Sequence, residues 1–242
     1  MERPAPTSSD IMAPDDPTTR GTPVAPEPLQ PQIDEQMDAL TPDELRPVID
    51  DLVARLRSDG EVPGLEVGAT APDFTLPDAR GHDVTLSQRL ADGPVVLSFY
   101  RGSWCPVCNL ELRALQASLP ALSARGASLV AITPQAPDAS ASFADQLSLG
   151  FDVLSDLAQE VALAYELRFR LTDELEQRYR SWGLVLPEQN ADGSWCLPVP
   201  ATFVLDGDGV VRARHVDPDY RRRMEPADVL EVLDLLGEGG VS

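Results

Sequence analysis

The sequence predicts an α/β fold: a central mixed β-sheet with helices on both faces. Three observations predict it. Pro94-Val95-Val96-Leu97-Ser98-Phe99-Tyr100 and Ala127-Ser128-Leu129-Val130-Ala131-Ile132 are near-continuous apolar runs of strand length. Between them, Leu110, Leu112, Leu115 and Leu119 mark a helix, so strand, helix and strand form a right-handed parallel crossover. Later, Ala201–Asp206 and Val210–Arg214 flank Gly207-Asp208-Gly209, the pattern of an antiparallel hairpin. A parallel crossover and a hairpin in one domain require a mixed sheet.

Taken in order, residues 1–33 hold eight Pro among Ser, Thr, Asp and Glu. Such a segment buries too little apolar surface to offset its ordering entropy and is expected to be a disordered acidic tail. Residues 34–60 form a helical extension. Thr41-Pro42-Asp43-Glu44 reads as an N-cap, a first-turn Pro and a capping-box Glu. Leu45, Val48, Ile49, Leu52, Val53 and Leu56 then repeat at helical spacing, and Gly60 stops the helix. The stripe must dock on the main domain or on a second copy. The main domain spans 64–237. Phe74-Thr75-Leu76 and Val84-Thr85-Leu86 bracket a Gly81 turn as a short hairpin. After the crossover come a helix near 138–148, a strand at Phe151–Leu154 and helices near 156–166 and 172–182. Val229, Leu230, Val232, Leu233 and Leu236 mark a closing helix.

Composition excludes several functions. The 242 residues carry 19 basic groups, all Arg, against 40 acidic ones, a net charge of -21. Such a chain lacks the basic surface that nucleic acid or an anionic membrane would require. No apolar run approaches the ~20 residues of a membrane span. Three Cys are too few for a disulfide scaffold. The amino terminus shows no basic region followed by an apolar one, so a cytoplasmic protein is expected. In that setting a Cys pair is catalytic or metal-binding.

The strongest chemical signal is Trp104-Cys105-Pro106-Val107-Cys108, between a buried strand and its following helix. A helix amino end presents free N–H groups and the positive end of the dipole. Both favour a thiolate, the nucleophilic form of Cys. Pro106 fits the first turn at no cost in hydrogen bonds. The spacing lets the second sulfur reach the first, so a Cys105–Cys108 disulfide can form and break. A zinc site would need two more ligands, and only Cys196, His82 and His215 remain, at no recognisable spacing. No metal and no cofactor are therefore expected. Two buried structural thiols would fit poorly in so polar a loop.

Other features have simpler readings. Cys196 precedes Pro200 by four extended residues, about 13 Å, and reads as a passive, partly buried thiol. Trp104 is expected to lie over the sulfur. Asp206-Gly207-Asp208-Gly209 fails the calcium-loop spacing and reads as a tight turn. His215 reads as structural. Arg221-Arg222-Arg223 is the only basic cluster and reads as pairing with local acids, with recognition of an acidic partner or thiol as the alternative.

The stretch Ser98-Phe99-Tyr100-Arg101-Gly102-Ser103-Trp104-Cys105-Pro106-Val107-Cys108-Asn109-Leu110-Glu111-Leu112 resembles the active-site segment of peroxiredoxin-like redoxins of the alkyl hydroperoxide reductase / thiol-specific antioxidant family. Ala71–Leu76, Val199–Asp206 and Asp217-Pro218-Asp219-Tyr220 resemble it too. The resemblance implies a thioredoxin-like fold with a cis Pro200 opposite the Cys pair. Arg101, Trp104, Pro106, Pro200 and Thr202 are then expected to shape the site. The family pattern is Pro-x-x-x-Thr/Ser-x-x-Cys with a distant Arg. Cys108 takes the Cys position, Cys105 the Thr/Ser position and Arg101 the Pro position, while the distant Arg falls on or near Pro200. The activating hydroxyl and guanidinium are thus missing from their usual places. Arg101 can supply charge from the other side; nothing in the sequence places Arg168 or Arg170 there.

The resemblance implies a thiol-dependent peroxidase, using Cys105 and Cys108 on hydrogen peroxide or organic hydroperoxides and regenerated by a dithiol such as a thioredoxin-type protein. The local Cys-x-x-Cys supports an alternative, disulfide exchange on protein substrates. A non-catalytic redox-sensing module is the third reading. In the exchange reading Cys105 attacks from an exposed helix end; in the peroxidase reading Cys108 is oxidised first. Either a monomer or a homodimer is compatible.

Overall fold

The computed structural model describes residues 27–41 and 43–239. Helices α1 (Leu29–Leu40) and α2 (Arg46–Asp59) precede a hairpin of β1 (Thr75–Pro77) and β2 (Asp83–Thr85). The short α3 (Leu86–Leu90) leads into the crossover unit of β3 (Val95–Phe99), α4 (Pro106–Ser123) and β4 (Ser128–Thr133). Then follow α5 (Pro137–Leu147), β5 (Asp152–Ser155), α6 (Glu160–Ala164), β6 (Arg168–Arg170), α7 (Asp173–Ser181), α8 (Leu186–Gln189) and β7 (Cys196–Pro198). Strands β8 (Ala201–Leu205) and β9 (Val211–Val216) and helix α9 (Pro226–Gly239) close the chain.

The central sheet has the order β5-β4-β3-β8-β9. β3 pairs parallel with β4 and antiparallel with β8, so the sheet is mixed as expected. Strand alternation divides its side chains between two cores. Val95, Leu97, Phe99, Val130, Ile132, Phe203 and Leu205 face the β1–β2 hairpin and Tyr165. Val96, Leu129 and Val204 face α4 and α9. Two short strands, β6 and β7, form a separate pair whose apolar side packs with Leu56 of α2 and with Leu175 and Leu186. Neither strand was expected, because three residues carry almost no periodic signal. Among the described residues, no helix is long and apolar enough to cross a membrane.

The amino-terminal region departs most from expectation. A tail was expected through residue 33, yet α1 begins at Leu29, with Leu29 and Ile33 at 1% and 0% exposure. Their apolar cluster includes Leu112 of α4. The nucleus of α1 is remote: the Glu225 carboxylate accepts from the backbone N–H groups of Leu29 and Gln30, both at 2.7 Å. It satisfies free donors at the positive end of the helix dipole. Residues 1–26 lie outside the described residues. Thr41, expected to cap a helix start, instead follows the end of α1, its N–H donating to the Met37 carbonyl. α2 starts at Arg46, with Pro47 in its first turn. A helix capped at Thr41 would bury Pro47 in its interior, where Pro lacks a donor and clashes with the preceding turn. Replacing Ile33 by Ala should cost about 2–5 kcal/mol of stability, the usual range for a fully buried large-to-small change. A denaturant titration checks this; a loss within experimental error would mean that α1 does not dock.

Candidate active site

The site lies where β3 ends and α4 begins. Tyr100 donates its N–H to the Ile132 carbonyl, the last tie of the chain to the sheet. The loop then turns through Gly102, at φ 147, where a Cβ would stand 2.5 Å from the Trp104 indole nitrogen. Only glycine lets the backbone pass so close to that ring. The Ser103 N–H donates to Gln135 Oε1 at 2.6 Å, and Asn109 Nδ2 donates to the Ser103 carbonyl at 3.1 Å. Cys105 is the N-cap of α4, with Pro106 in the first turn as expected. Cys108 sits one turn in, facing the same space.

Both cysteines are free, 2.7 Å apart sulfur to sulfur, with the Cys108 thiol donating to Cys105. Arg101 Nη2 donates to the Cys105 sulfur at 3.3 Å. On the other side, Arg223 Nη2 lies 3.7 Å from the Cys108 sulfur. Arg223 is held by Glu111, Nε to Oε2 at 2.8 Å, with both side chains at 1% exposure. Thr202 Oγ1 donates to the other Glu111 oxygen at 3.4 Å. The Arg101 guanidinium lies 3.8 Å from the Tyr220 ring centroid and 5.2 Å from that of Trp104. Aromatic faces of this kind favour a buried cation.

These contacts separate the two thiols. Burial pushes the Cys105 thiol up, but the Cys108 S–H, the Arg101 guanidinium and the charge of Arg223 outweigh it and hold Cys105 well below the ordinary thiol range. Burial and the hydrogen bond to the Cys105 thiolate push Cys108 well above it. Burial also raises Glu111, against the pull of Arg223. The Tyr220 hydroxyl is pushed up to about 12, mainly by burial. With Cys105 as thiolate and Glu111 ionised, two buried anions face the two buried cations Arg101 and Arg223. Arg223 has its carboxylate; among the described residues Arg101 has none, and its anion is the Cys105 sulfur.

Several expectations need correction. Cys105 was expected at an exposed helix end; both sulfur residues are at 0% exposure. The reason is packing: Tyr100, Val107, Leu112 and Tyr220 join the two cysteines in one cluster. Pro200 was expected cis, but the described residues contain no cis peptide. Pro200 is buried, and extended pairing runs through Val199, whose N–H donates to the Leu167 carbonyl, into β8. Arg168 and Arg170 lie on β6, where Arg170 pairs with Glu176. The Arg221–Arg223 cluster splits: Arg221 pairs with Asp219 and Asp50, while Arg223 turns inward. Cys196 lies on β7, partly buried, opposite Arg170. Asp206 accepts the Asp208 and Val210 N–H groups and forms a tight turn. His215 is partly buried on β9, its pKa lowered by burial and by the charge of Arg223.

Glu111, Arg223, Tyr220 and Gln135 were not identified as site residues from the sequence. Glu111 and Tyr220 stand inside the stretches that carry the family resemblance. Arg223 had no signal beyond its two basic neighbours.

A reduced Cys-x-x-Cys at the helix that follows a central strand of this sheet defines a thioredoxin-fold thiol oxidoreductase. The AhpC/TSA family model matches residues 67–214. The chain belongs to the AhpC/TSA family. Peroxiredoxin Q, chloroplastic, of Sedum lineare is 30% identical over 159 residues, 66% of this chain and 73% of that one. Thiol-disulfide oxidoreductase ResA of Geobacillus kaustophilus is 28% identical over 153 residues, 63% of this chain and 70% of that one. The crystal structure of Peroxidoxin BcpB from Mycobacterium tuberculosis superposes with a TM-score of 0.57 at 26% identity, covering 71% of this chain and 98% of that one.

Proposed function

We propose that the protein is a thiol-dependent peroxidase in which Cys105 attacks the peroxide and Cys108 resolves the product. One observation carries the assignment of roles: the Cys105 sulfur receives both the Arg101 guanidinium and the Cys108 S–H. The Cys105 thiolate attacks one oxygen of the hydroperoxide, and the O–O bond breaks. The departing alkoxide or hydroxide takes a proton from the Cys108 thiol, leaving Cys105 as sulfenic acid. Cys108, now the thiolate, attacks the Cys105 sulfur. The S–S bond forms as the S–O bond breaks, and hydroxide leaves with the negative charge first held by Cys105, to be neutralised by a buffer acid as water. An external dithiol, of the thioredoxin type, reduces the disulfide and is itself oxidised. Arg101 and Arg223 stabilise the negative charge that passes between these sulfurs and the leaving oxygen.

Burial of the pair favours peroxide over protein disulfides as the oxidant. A small hydroperoxide needs a smaller opening than a folded protein's disulfide does. A monomer and a homodimer are both compatible with this mechanism. A cytoplasmic setting suits a pair kept reduced by dithiols.

Rapid mixing of the reduced protein with hydrogen peroxide tests the function. Trp104 adjoins Cys105 and lies near Arg101, so oxidation should change its emission. A transient whose rate rises linearly with peroxide, well above that of a free dithiol at the same pH, is expected. A rate no faster than the free dithiol would remove peroxide as the substrate and leave disulfide exchange.

A further inference from the structure

The loop between β9 and α9, residues 217–225, brings two groups to the redox site. Tyr220 lies against the Arg101 guanidinium, and Arg223 reaches Cys108 and Glu111. The loop's own backbone bonding within 217–223 is a single turn, Arg222 N–H to the Asp219 carbonyl. Within the loop, the Asp217 and Asp219 carboxylates also accept from the Asp219 and Arg221 N–H groups, and Arg223 Nη1 donates to the Tyr220 and Arg222 carbonyls. Further fixed points come from the amino-terminal helices. The Gln30 amide donates to the Arg221 carbonyl at 3.0 Å and accepts the Arg223 N–H at 3.3 Å. Glu225 caps the start of α1. From α2, Asp50 pairs with Arg221 at 2.8 Å and Arg57 with Asp217 at 2.8 Å. The helices are themselves anchored by Leu29, Ile33, Ile49, Val53 and Leu56, all buried.

We propose that helices α1 and α2 are positioning elements of the redox site: through Gln30 and Asp50 they fix the 217–225 loop so that Arg223 and Tyr220 face the cysteine pair. The physical need is clear. A buried guanidinium gains free energy by moving to water unless its partners and its backbone are both held. Glu111 and Thr202 hold the far end of the Arg223 side chain. Gln30 holds its backbone N–H. Released from the helices, the loop loses the ties at Asp217, Arg221 and the Arg223 backbone, and Arg223 gains a route to solvent. The groups facing the sulfurs are Arg101 from the β3–α4 loop, Glu111 from α4, Tyr100 from the end of β3, and Tyr220 and Arg223 from the loop itself, while Tyr179 of α7 faces Arg101 and Tyr220. Tyr220 and Arg223 sit on the loop that the polar ties of α1 and α2 hold, while Leu29 and Ile33 of α1 share the apolar cluster of the cysteines. The inference rests on the reading of Cys105 and Cys108 as the reacting pair.

The test uses the full chain carrying Gln30→Ala together with Asp50→Asn. Ultraviolet absorbance of the thiolate is followed against pH, alongside the pH–rate profile with hydrogen peroxide. The variant's first thiol should ionise at higher pH than the wild type's. Its peroxide rate should fall about three- to tenfold on the acid side of the profile and converge on the wild-type rate at alkaline pH, since only the thiolate reacts. Asp50→Glu, with Gln30 intact, should restore both. A merely structural role for the helices would lower thermal stability and leave the titration in place. Arg223→Gln serves as the reference. A double variant that titrates like the wild type while Arg223→Gln shifts would overturn the proposal. An unshifted Arg223→Gln would overturn it too, by removing Arg223 as the agent. Should the double variant lose helix by circular dichroism, Gln30→Ala alone is read in the same way. If the wild-type protein titrates as expected but fails to turn over peroxide, the peroxidase reading falls, and the absorbance titration still decides the positioning.

Discussion

Cys105→Ser is expected to abolish reaction with hydrogen peroxide, whereas Cys108→Ser should retain one oxidation event per chain and no turnover. The reasoning starts from the charges around each sulfur. Arg101 donates to Cys105, and the Cys108 S–H donates to Cys105 as well, so the negative charge rests on Cys105. A thiol is a far weaker nucleophile than a thiolate, and burial raises the cost of ionising Cys108. In Cys105→Ser the surviving Cys108 is freed of the Cys105 charge but keeps the cost of burial, opposed by Arg223 at 3.7 Å and by the charge of Arg101, and it lacks the direct guanidinium hydrogen bond that Cys105 receives. A loss of about a hundredfold or more in the rate is expected, equal to about 2.7 kcal/mol or more of barrier. In Cys108→Ser the Arg101 contact survives, so Cys105 still reacts and stops at sulfenic acid, which a dimedone-type reagent labels and mass spectrometry counts. The family pattern places its reactive Cys at Cys108, which makes the experiment decisive. Dimedone labelling of Cys108 in Cys105→Ser, at a rate near that of the wild type, would reverse the assignment.

Arg101→Gln should slow the peroxide reaction by about ten- to a hundredfold at neutral pH, a loss of about 1.4–2.7 kcal/mol, and much less at alkaline pH. The direction follows from burial and charge. Burial pushes the Cys105 thiol up, and Arg101 is among the groups that pull it well below its ordinary value. Without Arg101 the desolvation cost stands less opposed, and a larger part of Cys105 is protonated at neutral pH. The same pair governs stability. A thiol whose folded pKa is depressed contributes stability that is fully present above its unfolded value, about 8.5. That contribution is lost as pH falls through the folded value. The reduced wild-type protein should therefore gain stability over Arg101→Gln as pH rises from acid toward about 8.5. Cys108 acts oppositely, because its raised pKa makes the fold lose stability once the unfolded thiol ionises.

Oxidation has a related consequence. A Cys105–Cys108 disulfide removes the thiolate and leaves Arg101 as a buried cation without an anion, which costs several kcal/mol unless it moves or finds a partner. The difference in melting temperature between reduced and oxidised forms should thus be more favourable to the oxidised form in Arg101→Gln than in the wild type. Melting curves of both proteins in both redox states measure it. An equal difference in the two proteins would mean that Arg101 does not sense the sulfur charge.

Much of this molecule is legible in the sequence, and the reason is local. The runs at Val95–Phe99 and Ser128–Thr133 are buried on both faces of a sheet, so their residues are apolar without alternation. The intervening helix shows its leucines at helical spacing, and a two-residue Cys spacing at a helix start is a local motif. Arg101 and Trp104 adjoin that motif in the chain, so their place at the site follows from proximity.

What only the tertiary structure decided depends on contacts across large separations. Helix α1 starts at Leu29 because a carboxylate 196 residues away caps it. Its Pro-rich composition argues for disorder when that carboxylate is ignored. Arg223 looks like its neighbours Arg221 and Arg222 in the sequence; it becomes the buried partner of Glu111, 112 residues away, because the loop that carries it is folded inward. Burial of Cys105 and the extended trans passage through Pro200 follow from how loops and strands pack, and no single segment encodes them. The sequence by itself determined the place of the Cys pair at a helix start, because that motif is defined within one turn. The tertiary fold decided which sulfur bears the charge, because a thiolate in a dry interior is stabilised by whichever cations the fold brings within a few ångströms.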